Sequence, residues 1–461
     1  MARLLSPADY GVYAILMVFV GFFTVLAGLG VAQAVVYLDH PSDRMLSSIF
    51  YLNLAVGVVL YGLMFVLAGP IASFYDNPQL VQFLRLIALV FVVGALNTVQ
   101  QALMEKRLNF QRVILFDLTS QVAGTAVGLG AAFSGYGVLS LIYATLAGAS
   151  AKTVLLWLGS GWRPRLIFAM ADVKTVARYC FNLTGFSIIN YFSRNADNFL
   201  IGKYVGASAL GVYNIAYNIM LYPLSNVSSV IVRVLFPAMA SMKHDTARLK
   251  RAYLKVISFI ALVTFPLMAG LSVVADTFVA VVFGVKWLDL APLLIILAPV
   301  GLIQSVVTTV GTIYTARGTT GLMFKLGSWN ACVTVLAFVV GLPFGVEGVA
   351  VSYAIANLLM LYPNLKYAWS QIGLGVGEGL LVLKDYFVAA VLMAGVVHGL
   401  TLCLRALNIG QFAILFAQVV CGALAYLVAI LLVSKFEVLV MVKEIVQAKN
   451  VAGQAEIDYH A

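Results

Sequence analysis

The sequence predicts an all-α, polytopic bundle of transmembrane helices. Three observations lead there: a composition too apolar for a water-soluble globule, apolar runs of membrane-spanning length from end to end, and basic residues confined to alternate loops. Of the 461 residues, 62% are hydrophobic and 10% charged, where an ordinary soluble domain carries about 25% charged residues. Apolar runs of about 20 residues are long enough to cross a hydrocarbon layer of about 30 Å as helices. Backbone polar groups in lipid must bond within their own segment, which selects helices. A membrane β-barrel would instead show segments of about 10 residues alternating in polarity, a pattern this sequence lacks.

Taken in order, the apolar windows define thirteen spans. The first five run near residues 12–37, 46–69, 80–103, 113–133 and 138–157, and a basic linker follows over 158–179. The other eight run near 180–201, 213–236, 254–274, 291–313, 324–342, 348–366, 386–404 and 412–433. Residues 1–9 have neither the charged start nor the separate apolar stretch of a cleavable signal, so the first run is expected to be retained. Cys180, Cys332, Cys403 and Cys421 lie in or beside apolar runs without metal-type spacing, and are read as buried membrane residues.

A net charge of +10 acquires meaning from its placement. Twenty Lys and Arg residues fall in one set of alternate loops, and only Arg3, Lys203, Lys286 and Arg405 in the other. Cytoplasmic loops retain Lys and Arg, so this asymmetry puts the C-terminus in the cytoplasm and the Arg3 segment outside. A missed or invented span would scramble it.

The two halves match at an offset of 200, where Arg3, Gly11, Val12, Tyr13 and Ile15 face Lys203, Gly211, Val212, Tyr213 and Ile215. Both segments are short external loops opening a membrane helix, as an internal structural repeat requires. The 180–201 span precedes Lys203, whereas nothing precedes Arg3. Upstream coding sequence is therefore expected to supply an apolar span of about 20 residues.

An ionisable group deep in a bilayer costs about 2.5–3.5 kcal/mol on insertion scales and marks a functional candidate. Arg85, Lys152 and Arg233 lie near helix ends, where snorkelling also accounts for them, and Asp117 lies one turn inside its helix, where it caps, pairs or couples ions. Arg194 sits deeper. On a helical wheel Ser187, Asn190, Arg194, Asp197 and Asn198 form one polar stripe, and Asn214, Asn218, Tyr222, Ser225 and Ser229 form another on the next helix, with Pro223 offering a kink. Two readings of the stripes remain open: a polar substrate cavity, or helix-to-helix hydrogen bonding with Arg194 neutralised by Asp197.

The four histidines are scattered, no metalloprotease, serine-hydrolase or phosphate-loop pattern occurs at an accessible position, and no cytoplasmic segment is long enough for a nucleotide-binding domain. The chain therefore reads as a transporter with no cofactor, driven by an H+ or Na+ gradient, membrane potential or substrate supply, and as neither an enzyme nor a nucleic-acid binder.

The stretches A-R-L-L-S-P-A-D-Y-G-V-Y at 2–13, N-Y-F-S-R-N-A-D-N-F-L-I-G at 190–202 and G-A-S-A-L-G-V-Y at 206–213 resemble the polysaccharide transporter (Wzx-type flippase) family of the multidrug/oligosaccharidyl-lipid/polysaccharide exporter superfamily. The resemblance implies two six-helix lobes that open alternately to either side, plus two C-terminal helices. Applied here it divides the chain into an N-terminal lobe at 1–157 lacking the family's first helix, a linker at 158–179, a second lobe at 180–367, an additional pair at 368–434 and a cytoplasmic tail at 435–461. It also implies a bacterial inner-membrane location, an undecaprenyl-diphosphate-linked oligosaccharide as substrate, and association with polysaccharide polymerase or assembly proteins. On that reading Arg194, Asn190, Asn198, Asn214, Asn218 and Arg85 bind substrate, while Asp197 and Asp117 pair charges or couple ions. The competing reading on the same fold is a multidrug cation extruder, which would place carboxylates rather than arginine deepest in the cavity.

Overall fold

In the computed structural model, residues 1–28, 42–169, 191–192, 194–228, 242 and 245–434 are described. The first described span, α1, is Pro7–Gly28, and its start is organised by Ser6, whose hydroxyl and backbone N–H both donate to Asp9. The 32-residue α2 (Asp43–Phe74) is capped by the Ser42 hydroxyl, which accepts from the Met45 N–H. Next comes one span in three pieces, α3 (Leu80–Ile87), α4 (Leu89–Ala95) and α5 (Thr98–Lys106), bent by 42° before α5. Breaking a helix inside a bilayer strands carbonyls that neighbours must satisfy. Here Thr153 donates to Val93 O, Asn53 to Ala95 O and Trp157 to Leu96 O.

The hairpin α6 (Phe110–Phe133) and α7 (Val138–Gly159) follows, then a helical segment at 194–204 and α8 (Ala207–Pro223). The expected kink at Pro223 takes the form of a π-helical turn over Leu224–Ser228. Beyond it lie α9 (Thr246–Val282), α10 (Leu290–Val307), α11 (Val310–Arg317), α12 (Thr320–Gly341), α13 (Gly345–Ser370), α14 (Val376–Ala406) and α15 (Gln411–Val433). Among the described residues nine helical stretches are long and apolar enough to cross a membrane, ten with the bent span, and one of them, Gly321–Ser370, contains both α12 and α13. Where the sequence places a span near 254–274, the helix runs for 37 residues, and its basic first turns extend the apolar part outward from an Asp245 cap.

The chain divides into two compact units, Met1–Asn214 and Ile215–Ala461. In the second, Tyr253 and Trp369 are fully buried, and the Tyr253 hydroxyl shares a 2.8 Å hydrogen bond with Thr309 while accepting one from Trp369 Nε1. Outward faces carry large apolar side chains such as Val122, Leu158, Leu359, Phe416 and Leu432, each more than half exposed, the distribution expected where lipid is the solvent. Cys332 and Cys403 share that outer surface and Cys421 is half-buried, so the expectation of burial for these cysteines is corrected: lipid contact serves a thiol as well as a protein interior does. Cys180 lies outside the described residues.

The offset repeat has a geometric counterpart inside the first unit. A Cβ built on Gly11 would collide with the Ala207 carbonyl oxygen, and one built on Gly211 with the Pro7 carbonyl oxygen. Positions 7 and 207, like 11 and 211, are repeat equivalents, so α1 and α8 meet through a reciprocal contact that only small residues allow.

Ion pairs join segments that the loop charges assign to one side. Arg165 bonds Asp43 at 3.0 Å and Lys250 bonds Glu378 at 2.7 Å, all in basic loops or helix ends, whereas Lys203 bonds Asp76 at 2.8 Å between two loops of the other, sparsely charged set. The linker is further tied to α2 by Ser47 and Ser48, which accept from the Arg165 and Ala169 backbone N–H groups.

Candidate functional site

The segment at 194–204 ends before Gly206, whose φ of +110° lets the chain turn directly into α8. This brings Tyr213 back to Asp197. The carboxylate is 1% exposed and accepts from the Tyr213 hydroxyl at 3.0 Å and from the Asn198 backbone N–H at 2.7 Å. Arg194 is exposed and forms no ion pair among the described residues. Of the two readings left open for the stripe, the one in which Asp197 neutralises Arg194 at i+3 is not what forms: Asp197 is held by Tyr213, and Arg194 has no ion pair among the described residues. The helical wheel places the two on neighbouring sectors, and the inward one found a phenol first.

Asn214 donates its amide to Asn198 Oδ1 at 3.4 Å. Asn218, one turn further along α8, is exposed. Asn190, Ser187, Ser229 and Arg233 lie outside the described residues. Arg85 is exposed on α3, with its guanidinium carbon 4.0 Å above the Phe65 ring, a cation–π contact.

Asp117 and Lys152 meet across the hairpin. The Lys152 ammonium lies 2.7 Å from Asp117 Oδ1, and the side chains remain 27% and 38% exposed respectively. Close approach of α6 and α7 makes this reachable, because a Cβ on Gly124 would come within 3.1 Å of Gly148 Cα. The pair lines a cavity of about 440 Å³ together with Ser120, Gln121, Thr125 and Thr145. Thr145 also hydrogen-bonds the Tyr13 hydroxyl at 2.7 Å, which ties α1 to the cavity wall.

Sequence reasoning missed Gln121, Thr125 and Thr145 and treated Lys152 as a snorkelling residue. Their signal was present, since Asp117, Gln121 and Thr125 recur every fourth position on α6 and Thr145, Ala149 and Lys152 share a face of α7. In the second unit it missed a neutral network in which Gln304 donates to the Tyr353 hydroxyl at 2.5 Å and to Asn357 Oδ1 at 3.1 Å, and an Asn330–Asn364 pair exchanging hydrogen bonds of 2.8 and 3.2 Å.

These features define a polytopic membrane protein with polar groups buried in lipid-spanning helices, and its fold is shared with a lipid II flippase and with a multidrug resistance MATE family transporter, the latter at a TM-score of 0.66 and 14% identity over 81% of this chain and 92% of the other. Over 95% of this chain and 96% of the other, it superposes on a lipid II flippase, MurJ, in an inward closed conformation, with a TM-score of 0.76 at 14% identity. The chain belongs to the polysaccharide biosynthesis protein family, whose model matches residues 1–292. It is 29% identical to the lipopolysaccharide biosynthesis protein WzxC of Escherichia coli (strain K12) over 78% of this chain and 74% of that protein. It is 30% identical to the teichuronic acid biosynthesis protein TuaB of Bacillus subtilis (strain 168) over 68% of this chain and 65% of that one.

Proposed function

We propose that this membrane flippase of polysaccharide biosynthesis moves an undecaprenyl-diphosphate-linked oligosaccharide across the bacterial inner membrane by alternating access. Arg194 is the observation that carries the substrate assignment. A guanidinium exposed on a membrane helix without a carboxylate partner among the described residues is costly in lipid, and a diphosphate offers it paired, charge-assisted hydrogen bonds. Asn198, Asn214 and Asn218, with Asn190 beside them in sequence, supply amides for the rest of the headgroup, and Arg85 is a second cation for the anionic lipid.

Transport needs a ligand-dependent bias between states. An H+ or Na+ gradient acting at Asp197 is the proposed source, with no cofactor, since the Asp117 carboxylate is already held by the Lys152 ammonium. The loop charges support a cytoplasmic C-terminus, and association with polymerase or assembly proteins would deliver the flipped product. Multidrug export is disfavoured, since an organic cation would be repelled by Arg194.

The test is surface polysaccharide measured at equal protein level in Arg194→Ala and Arg194→Lys variants. Export is expected to fall at least about tenfold in the first, a loss of about 1.4 kcal/mol in recognition, and partly to recover in the second. Full export by both would refute the assignment.

A further inference from the structure

We infer that the cavity between α6 and α7 is a saccharide subsite, which holds sugar of the substrate in the first unit; this rests on the flippase reading above. The argument starts from charge. Asp117 and Lys152 neutralise one another at 2.7 Å, so the cavity carries no formal net charge. A diphosphate would be repelled by the Asp117 carboxylate as much as it is drawn to Lys152, and an inorganic cation would have to displace an ammonium already in place. A neutral, hydroxyl-rich ligand meets neither obstacle.

The hydrogen-bonding capacity left over points the same way. Ser120 and Thr145 hydroxyls donate to the Phe116 and Leu141 carbonyls of their own helices, so they form wall. Gln121 and Thr125 are exposed, and among the described residues their side chains have no hydrogen-bond partner. Lys152 has two further N–H groups, and Asp117 Oδ2 is uncommitted among the described residues. The set thus mixes a carboxylate oxygen, ammonium protons, a primary amide and a hydroxyl, the mixture that suits vicinal sugar hydroxyls, each both donor and acceptor.

Shape and position agree. A volume of about 440 Å³ falls within the roughly 300–1,000 Å³ of small-ligand sites. From Asp117 to Thr125 the polar edge runs about 12 Å along α6 at 1.5 Å per residue. The floor between them is Gly124, Ala144 and Gly148, small enough to admit the apolar face of a pyranose ring. A purely structural ion pair would need neither the cavity nor the uncommitted amide beside it.

The experiment uses the full-length chain with its four cysteines replaced by serine, in cells that make the lipid-linked oligosaccharide and in cells deleted for the transferase that initiates it. N-ethylmaleimide labelling of Thr125→Cys is expected to slow several-fold in producing cells, while Ser134→Cys, exposed just beyond the end of α6 and outside the cavity, labels equally in both. The reversed pair, Asp117→Lys with Lys152→Asp, is expected to accumulate at the native level yet export about tenfold less, as misplaced sugar contacts would cause.

Restored export by the reversed pair would overturn the inference, because a structural ion pair works in either direction. So would an unprotected Thr125→Cys alongside a protected Asn198→Cys, an outcome that leaves the flippase assignment standing. Protection at neither position, together with full export by Arg194→Ala, would overturn the flippase assignment and the subsite with it.

Discussion

The reciprocal contact of α1 and α8 yields a quantitative prediction. A Cβ on Gly11 would overlap the Ala207 carbonyl oxygen and sit 3.0 Å from Ala207 Cα, and one on Gly211 would sit 2.8 Å from Gly11 N. Carbon atoms in unstrained contact lie about 3.5–4.0 Å apart, and neither helix can yield by rotating a side chain, since the obstructing atoms are backbone. The helices must separate, at an overpacking cost of about 1–3 kcal/mol for either Gly11→Ala or Gly211→Ala. Once one substitution has separated them, the second meets a gap already opened. The double variant should therefore be less destabilised than the sum of the singles by at least about 0.5 kcal/mol, the lower bound for residues sharing one interface. Equilibrium unfolding of the purified chain in mixed micelles measures all four corners of this cycle. A silent single substitution, or strict additivity, would refute the close approach.

Three further outcomes follow from the same geometry. Tyr213→Phe removes the hydroxyl donor from a buried carboxylate, and should destabilise by about 1.5–3 kcal/mol in the same unfolding assay, more than Tyr13→Phe, whose partner is the neutral Thr145 hydroxyl. Because Asn330 and Asn364 satisfy one another, either single change to Leu should cost about 1–3 kcal/mol by stranding the remaining amide, and the double change less than either single; a larger loss in the double would contradict the pairing. The Lys203–Asp76 pair, whose aspartate is 81% exposed, should contribute at most about 1 kcal/mol, so Asp76→Asn is expected to leave the unfolding midpoint nearly unchanged.

Much of the architecture is legible in sequence because a bilayer imposes a strong one-dimensional code. Span length and helical state each follow from residues adjacent in the chain, and Asp43 and Arg165, which fall in the same set of alternate loops, are bonded to one another. The offset match at Gly11 and Gly211 anticipated equivalent helix starts, though nothing in the letters says that the two glycines close on each other's helices. The polar stripe was likewise half legible. Periodicity put Arg194 and Asp197 on neighbouring sectors, and the partner that captured Asp197 was Tyr213, reached only through the turn at Gly206.

The sequence by itself determined that this chain is a polytopic helical membrane protein of the polysaccharide exporter type, and where its intramembrane charges fall along their helices. Tertiary structure decided which of those charges meet. Asp117 and Lys152 read separately as residues near helix ends, and they become one neutral, sugar-sized cavity because Gly124 and Gly148 let two helices cross closely. Contacts between helices depend on rotation and approach distance, and these are set by small residues on facing surfaces rather than by the hydrophobic period that makes each helix.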